Sequence, residues 1–239
     1  MALLPWRKAK VISIEQETSD TRRFRMEVPE LEVFDFKPGQ FITLDLPIHE
    51  KANKRWRSYS IASIPVGTNI FELLIVLNPN GLGTPYLFEK VEVGSQLDFR
   101  GPQGIFTLHE PIDKDIFLIC TGTGIAPFRS MVNHIHHQRL PHQRIHLIYG
   151  CRKQNNLLYF DELKALEKKL PGFHYIPTLS REEWEGQSGY VHQIYESICA
   201  GNTPARFYLC GWKDMIDEAK QRILAMGYDK KDVHVELYG

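Results

Sequence analysis

The segment RWRSYSIAS, residues 55–63, combines arginine, tyrosine and serine side chains in a pattern that predicts a β-strand. Side chains alternate along a strand, so Arg57 and Tyr59 share one face while Ser58 and Ser60 share the other. A strand in a protein core gains little from an inward arginine, because an unpaired buried charge is costly. We therefore expect a ligand that is both anionic and flat beside this strand.

A pair of glycines in TGTGIAP, residues 121–127, follows an apolar run and precedes a predicted helix. Gly122 and Gly124 let the backbone approach a ligand closely, and a helix N-terminus offers N–H groups and a positive dipole to a pyrophosphate. Many such glycines serve the turn alone. The position after the first strand of an α/β segment favours nucleotide binding.

A second glycine-rich segment, NGLGTPYL at residues 80–87, leads into another predicted helix. Gly81, Gly83 and the Thr84 hydroxyl are of the types that receive a phosphate. The same residues are equally typical of a plain helix cap. This segment alone leaves both interpretations open.

The first half of the chain supplies short strands that would position the arginine-tyrosine segment. From Ala9 to about Leu108 six strands are separated by turn residues: AKVISIEQ, TRRFRMEV, QFITLDLP, RSYSIAS, FELLIVLN and SQLDFRGP. Proline and glycine interrupt the pattern at KPGQ and GPQG, and long helical periodicity is absent. The pattern predicts an antiparallel barrel, with one short helix at YLFEKV.

The second half alternates apolar strands with helical segments. It begins with IFLIC, GTGIAPFRSMVNHIHHQ, RIHLIYG and LLYFDELKALEKKL, and continues through FHYIPTLS, SGYVHQIYESIC, ARFYLCG, MIDEAKQRILAMG and VHVELYG. Repeated strand and helix imply right-handed crossovers and a parallel sheet covered on both faces. We predict one domain over residues 1–110 and a second over residues 111–239.

The composition is that of a globular protein, with 43% hydrophobic and 24% charged residues among 239. Lysine and arginine together number 29, as do aspartate and glutamate, so the chain lacks the positive field of a general nucleic-acid binder. No apolar run has the length of a signal peptide or of a membrane span. We expect a cytoplasmic protein with no nucleic-acid partner.

The cysteines and histidines do not form a pattern typical of a metal site. Cys120, Cys151, Cys199 and Cys210 are scattered, which argues against structural zinc, an iron–sulfur cluster or a disulfide scaffold. The HIHH segment at residues 134–137 could place two imidazoles on one helical face, but a solvated helix surface is the favoured interpretation. We expect no metal.

The order of the motifs resembles that of the ferredoxin-NADP reductase family. R-x-Y-S, G-x-x-T-x-x-L, GPQGIF, GTGIAP, YLCGWKDM and a terminal HVELY follow one another along nearly the whole chain. The resemblance implies a two-domain β + α/β protein. Its N-terminal domain would be an antiparallel six-stranded flavin-binding β-barrel, followed by a Rossmann-like parallel-sheet NAD(P)-binding domain.

The resemblance implies roles for residues of the first half. Arg57 would neutralise the flavin pyrophosphate, Tyr59 would lie against the isoalloxazine, and Ser60 would hydrogen-bond near the flavin N5. Gly83 and Thr84 would assist at the pyrophosphate. FAD rather than FMN follows from likeness to the FAD-using branch, not from the residues themselves.

In the second half, the resemblance implies that Thr121, Gly122 and Gly124 bind the nicotinamide dinucleotide. Cys210 and Gly211 would lie near the nicotinamide ring. These residues come from two turns that follow apolar strands.

Near the end of the chain, Glu236 would complete the polar part of the site, so Ser60, Cys210 and Glu236 are the predicted catalytic positioning groups. Tyr238 would stack on the second flavin face and move aside for nicotinamide. A packing role alone is the alternative for this tyrosine. Plant-type reductases end at the tyrosine, whereas here Gly239 follows it, which could loosen that gate.

The choice of dinucleotide depends on LSREEWEGQSGYV. Ser180 and Arg181 resemble the family's Ser-Arg pair that grips the 2′-phosphate, and Tyr190 fits the tyrosine that stacks on adenine. Ser188 stands where plant-type enzymes have a lysine, and Arg152 could replace that charge. NADP is favoured and NAD is the alternative; a surface arginine without a ligand remains open.

The expected function is transfer of hydride from NADPH, or NADH, to the flavin N5. Electrons then pass to a separate acceptor, such as ferredoxin, flavodoxin or an oxygenase component. The alternatives are a diaphorase or free-flavin reductase, and a non-catalytic regulatory module that binds flavin and nucleotide. Basic residues near the flavin strand could attract an acidic partner: Lys51, Lys54, Arg55, Arg22, Arg23 and Arg25.

Overall fold

A computed structural model describes residues 4–199 and 203–238. These residues group into two compact units. The first runs up to Thr107 and includes Arg129–His134, and the second covers Leu108–Phe128 and the chain from Ile135 onward. The boundary at residues 110 and 111 stays a prediction. No helix within the described ranges has the length and apolar character needed to cross a membrane.

The first unit contains a six-stranded antiparallel sheet. Its strands are β1 (Arg7–Thr18), β2 (Thr21–Glu27), β3 (Phe41–Asp45), β4 (Trp56–Ser60), β5 (Ile70–Val76) and β6 (Gln96–Gln103). The spatial order is β4-β3-β6-β1-β2-β5. An isolated bridge between Ile61 and Leu73 joins the two ends of that order, so the sheet closes on itself. The predicted six-stranded architecture is confirmed.

Alternation along these strands directs apolar side chains to the interior of the first unit. Phe34, Phe71 and Phe99 form its aromatic centre, with ring centroids 5.0, 5.5 and 5.6 Å apart. Aromatic pairs of this kind add stabilisation beyond the area that they bury. The short helix α1 (Gly83–Glu89) buries Leu87 against the same core.

The second unit contains a six-stranded parallel sheet of order β10-β9-β8-β7-β11-β12. The strands are β7 (Asp115–Thr121), β8 (Ile145–Cys151), β9 (Phe173–Leu179), β10 (Gln187–Ser188), β11 (Ala205–Trp212) and β12 (Val233–Tyr238). The helices are α2 (Ile125–Gln138), α3 (Phe160–Glu167), α4 (Val191–Cys199) and α5 (Lys213–Ala225). The parallel α/β architecture is confirmed.

Burial explains why the strands of the second unit read as continuous apolar runs. In β7 every residue from Asp115 to Cys120 is buried, as expected of a strand covered on both faces. Because all six strands point the same way, their carboxyl ends meet at one edge of the sheet. That edge carries Thr121, Cys151 and Ser180.

Three local differences from the sequence prediction have physical causes. The strand that carries Arg57 ends at Ser60, because Ile61 pairs only through the isolated bridge. Helix α3 begins at Phe160 rather than Leu157, since Tyr159 has a left-handed φ of 56° that a helix cannot contain. The strand β10 was not predicted, because two residues are too few to show the alternation of apolar and polar side chains that indicates a strand.

Candidate functional site

In the first unit, the Arg57 side chain and the start of α1 lie against each other. Arg57 Nη1 donates hydrogen bonds to the carbonyl oxygens of Lys54 (3.0 Å) and Trp56 (2.7 Å). A Cβ atom added to Gly83 would stand 3.0 Å from Cγ and Nε of Arg57. A side chain at residue 83 would force Arg57 to shift by a few tenths of an ångström, whereas glycine leaves a backbone cradle next to this cation.

Tyr59 and Ser60 occupy opposite faces of β4, as the alternation predicts. Tyr59 pairs in register with Ile42 of the core, and burial raises the pKa of its phenol although the Arg57 charge opposes the shift. The phenol is thus neutral at physiological pH. Ser60 is only 4% exposed, so its hydroxyl is well shielded from water.

The Thr84 hydroxyl makes two local hydrogen bonds. It accepts from the Asn78 N–H (2.8 Å) and donates to the Asn78 carbonyl (3.2 Å). Its one proton is engaged with the backbone, so donation to a phosphate requires that bond to break. The phosphate role of Thr84 stays a prediction, beside an evident role in closing the loop before α1.

In the second unit, the turn after β7 touches the end of β11. Gly122 has a left-handed φ of 54°. A Cβ atom on Gly124 would lie 2.4 Å from the Cys210 carbonyl oxygen, and one on Gly211 would lie 2.6 Å from Thr121 Oγ1. The two glycine-containing turns therefore fit together only without side chains, which brings four of the predicted dinucleotide-binding residues and Cys210 into one cluster.

Cys210 faces Glu236 across the neighbouring strands β11 and β12, where their Cα atoms are partners in register. The Tyr238 side chain forms a hydrogen bond with the Cys210 thiol. Burial, then the charge of Glu236, raises the pKa of this fully buried thiol well above its ordinary value. Cys210 is consequently a neutral thiol, not a thiolate nucleophile. Gly239 lies outside the described residues.

An open hollow of about 660 Å³ lies beside the carboxyl ends of β8 and β9. It is lined by Lys153, Gln154, Asn155, Arg181 and Glu182. Arg181 was predicted from the sequence, whereas Lys153 and Glu182 were missed. The signal that could have found them is strand order, because residues that follow neighbouring parallel strands meet at one edge.

Ser180 lies at the same edge but is turned toward β8. Its N–H and its hydroxyl both donate to the Cys151 carbonyl, at 3.0 and 3.3 Å. Tyr190, which directly precedes α4, is 69% exposed and presents its ring to solvent. Ser188 is exposed on β10, and Arg152 is exposed but is not among the residues that line the hollow.

The basic residues considered for partner docking are partly neutralised. Arg55 donates to both carboxylate oxygens of Asp45, and Arg23 pairs with Glu15 and Glu17. Surface ion pairs of this kind weaken the field that steers an acidic partner. Lys51, Lys54 and Arg25 are exposed, so that docking hypothesis rests chiefly on them.

No group of three histidine, cysteine, aspartate or glutamate side chains within the described ranges is arranged to hold a metal ion. The four cysteines are all free thiols.

Comparison with known proteins agrees with both units. The oxidoreductase FAD-binding domain family model matches residues 8–108, and the oxidoreductase NAD-binding domain model matches residues 118–221. Ferredoxin–NADP reductase B of Sorangium cellulosum is 30% identical over 241 residues, which cover 97% of this chain and 97% of that protein. The chain belongs to the ferredoxin–NADP reductase family.

Two further relatives extend the comparison. The crystal structure of a ferredoxin NADP+ reductase from Neisseria gonorrhoeae, with bound FAD and NADP, is 27% identical and has a TM-score of 0.81, covering 97% of this chain and 98% of that one. The anthranilate 1,2-dioxygenase electron transfer component of Acinetobacter baylyi is 34% identical over 189 residues. That match covers 78% of this chain, and the chain spans about half (53%) of that relative's length.

This member of the ferredoxin–NADP reductase family is therefore an oxidoreductase that binds FAD and a nicotinamide dinucleotide. Both cofactors expected from the sequence are confirmed at the level of the family.

Proposed function

We propose that this reductase oxidises NADPH, or NADH, and delivers the electrons through FAD to a separate electron acceptor. The observation that carries the proposal is the cluster of Thr121, Gly124, Cys210 and Glu236 at the carboxyl edge of the parallel sheet. That edge is where ligands bind in open α/β sheets. A neutral buried thiol with a carboxylate beside it suits the positioning of an uncharged ring.

The residues of the first unit fit an FAD pyrophosphate. Arg57 brings a permanent charge next to the cradle that a Cβ at Gly83 would fill, and backbone carbonyls fix its guanidinium on one side. Tyr59 offers a neutral ring on the same face of β4. When bound, flavin supplies hydride acceptance at N5 and release of electrons singly or in pairs.

The proposed roles of the chain's own groups are orientation and exclusion of water. Ser60 offers a shielded hydroxyl, and the Cys210 thiol stays neutral because burial raises its pKa. Glu236, its register partner on β12, adds a carboxylate beside it. The assignment of Tyr238 to flavin stacking, and of Thr121, Gly122 and Gly211 to the dinucleotide, follows the family resemblance. Tyr238 has packing as its alternative role, and its bond to Cys210 supports a site function.

The acceptor that we propose is a protein, either a ferredoxin, a flavodoxin or an oxygenase component. Relatives named as electron transfer components of oxygenases, and the Sorangium ferredoxin–NADP reductase, support this class. A diaphorase that reduces free flavins or dyes is the second candidate. The partial neutralisation of Arg55 and Arg23 favours it, since it weakens the attraction of an acidic protein.

Anaerobic stopped-flow spectroscopy with NADPH and with NADH tests the proposal. We expect rapid bleaching of the flavin absorbance. The Ser60→Ala variant should retain FAD and bleach markedly more slowly. Retention of bound flavin with no bleaching by either donor would contradict the oxidoreductase function and support a binding module.

NADPH is the donor that we propose as preferred, with Ser180 and Arg181 at the 2′-phosphate and Tyr190 at the adenine. Arg181 supports this because it lines a solvent-open hollow at the expected strand end. Arg181→Ala should lower kcat/KM for NADPH and leave that for NADH unchanged. An unaltered preference would contradict the assignment. We propose the cytoplasm as the compartment, which suits four free thiols.

A further inference from the structure

The hollow beside β8 and β9 contains two cations, of which Arg181 was predicted from the sequence and Lys153 was not. Lys153 and Arg181 both line it, together with the amides of Gln154 and Asn155 and the carboxylate of Glu182. The residues that follow β8 thus contribute as much to this surface as the residues that follow β9. The hollow is the place proposed above for the adenosine end of the dinucleotide.

Backbone hydrogen bonds hold the two loops together. The Arg181 N–H donates to the Arg152 carbonyl (3.0 Å), and the Gln154 N–H donates to Glu182 Oε2 (2.9 Å). Lys153 lies between these two contacts, so its Cα position is fixed relative to Arg181. A charged residue on loops held together in this way loses less conformational entropy on binding a ligand than a charged residue on a mobile loop.

The charges of the hollow are available to a ligand. Within residues 4–199 and 203–238, neither Lys153 nor Arg181 forms an ion pair with a carboxylate. Arg152 is exposed next to Lys153, yet it is not among the lining residues. The position expected to carry a second cation in the family holds Ser188 instead, on the exposed strand β10.

We propose that Lys153 is the second cation for the 2′-phosphate of NADPH, and that Glu182 restrains the preference for NADPH over NADH. This inference rests on the proposed function. A 2′-phosphate carries up to two negative charges and gains from Lys153 and Arg181 together. The same charges are repelled by Glu182, whereas the 2′-hydroxyl of NADH is not. The hollow is thereby suited to both dinucleotides, with a moderate bias toward NADPH.

Calorimetric titration of the FAD-loaded protein with adenosine 2′,5′-bisphosphate and with 5′-AMP tests this, because neither ligand requires turnover. Lys153→Ala should lower the affinity for the bisphosphate about tenfold and change the affinity for 5′-AMP by no more than about twofold. Glu182→Gln keeps an acceptor for the Gln154 N–H and should raise the affinity for the bisphosphate about threefold. Arg152→Ala tests the alternative cation considered from the sequence, and Lys168→Ala, at an exposed lysine that does not line the hollow, is the matched control. Neither variant should change the affinity for either ligand by more than about twofold.

A salt series separates a direct ion pair from a structural effect. The affinity of the wild type for the bisphosphate should fall with salt more steeply than that of Lys153→Ala, because one screened charge pair is absent in the variant. Equal weakening of both ligands by Lys153→Ala, or no change by Lys153→Ala beside a clear effect of Arg152→Ala, would overturn the inference. Flavin bleaching by NADPH would stand in either case, so the proposed function is tested separately.

Discussion

Cys210 and Glu236 are register partners on adjacent parallel strands, and the thiol of the first is fully buried. The pairing fixes the distance between the two backbones at the spacing of neighbouring strands in a sheet. Burial and the neighbouring carboxylate both raise the pKa of the thiol. The pair therefore presents a hydrogen-bonding group and a charge whose separation does not depend on loop motion.

Replacement of either partner should slow flavin reduction. Cys210→Ser and Glu236→Gln should each lower the single-turnover rate roughly tenfold to hundredfold, because nicotinamide would be misplaced. Rapid-mixing absorbance measures the rate, and thermal unfolding checks the fold. Cys199→Ser, which alters another buried thiol in the same unit, is the control and should leave the rate unchanged. Equal slowing by all three variants would show that the effect is one of stability.

Gly124→Ala should damage the dinucleotide turn by steric conflict alone. Gly124 has an ordinary helical φ of −60°, so alanine is conformationally acceptable, but its Cβ would meet the Cys210 carbonyl oxygen at 2.4 Å. We expect a loss of about 2–3 kcal/mol in the free energy of unfolding, measured by urea denaturation. Gly94→Ala has open space around it and a φ of 98°, and should cost only about 1 kcal/mol. The reverse order would contradict the packing argument.

Arg57→Ala should reduce FAD retention through purification. The guanidinium is the cation next to the Gly83 cradle, and a charge-assisted hydrogen bond to phosphate contributes about 1.5–3 kcal/mol. The ratio of flavin to protein absorbance gives the occupancy, and a titration with free FAD gives the loss of affinity. Ser58→Ala, at an exposed position of the same strand, should bind flavin like the wild type. Full retention by Arg57→Ala would remove this residue from the pyrophosphate site.

Acid should destabilise the second unit through His146. Its ring stacks between Phe117 (4.7 Å) and His174 (5.1 Å), and burial, with the nearby His174 charge, lowers the pKa to about 4 from 6.5. The unfolded chain binds the proton first, so stability is full above pH 6.5 and falls as pH drops toward 4. The contribution is about 1–3 kcal/mol.

Denaturant unfolding at pH 5.0 and 7.5 measures this dependence. His146→Phe keeps a stacked ring and should reduce the difference between the two pH values. Burial also lowers the pKa of His192 and His234, so part of the dependence should remain in the variant. An unchanged difference in His146→Phe would assign the effect to those two histidines.

The fold was largely predictable because its signals are local. Each of the six barrel strands has its own turn residues, and IFLIC has the unbroken apolar character of a strand covered on both faces. Local sequence patterns could not predict which residues of distant segments lie close together in the folded protein. Lys153 and Glu182 are unremarkable in sequence and become partners in one hollow only because β8 and β9 are adjacent.

Close backbone contacts and the hydrogen-bond partners of hydroxyl groups could not be predicted from the sequence either. The glycines of TGTGIAP suggested a phosphate, whereas the close approach of Gly124 to the Cys210 carbonyl shows a packing requirement of its own. The type and spacing of Thr84 left a phosphate site and a helix cap open, and the family resemblance favoured the phosphate, whereas its hydroxyl proton is engaged by the Asn78 carbonyl. Hydroxyl partners depend on loop conformation, which propensity does not encode.

The strand β12 has one sheet neighbour, β11, among the described residues, and it carries both Glu236 and Tyr238. Its start is fastened by Asp232, which accepts from the Lys114 ammonium at 2.8 and 2.9 Å. Because β12 lies at the edge of the sheet, its amide protons should exchange with deuterium well before those of the central strand β7. Heating would then abolish turnover by fraying this strand, several degrees before the sheet itself melts.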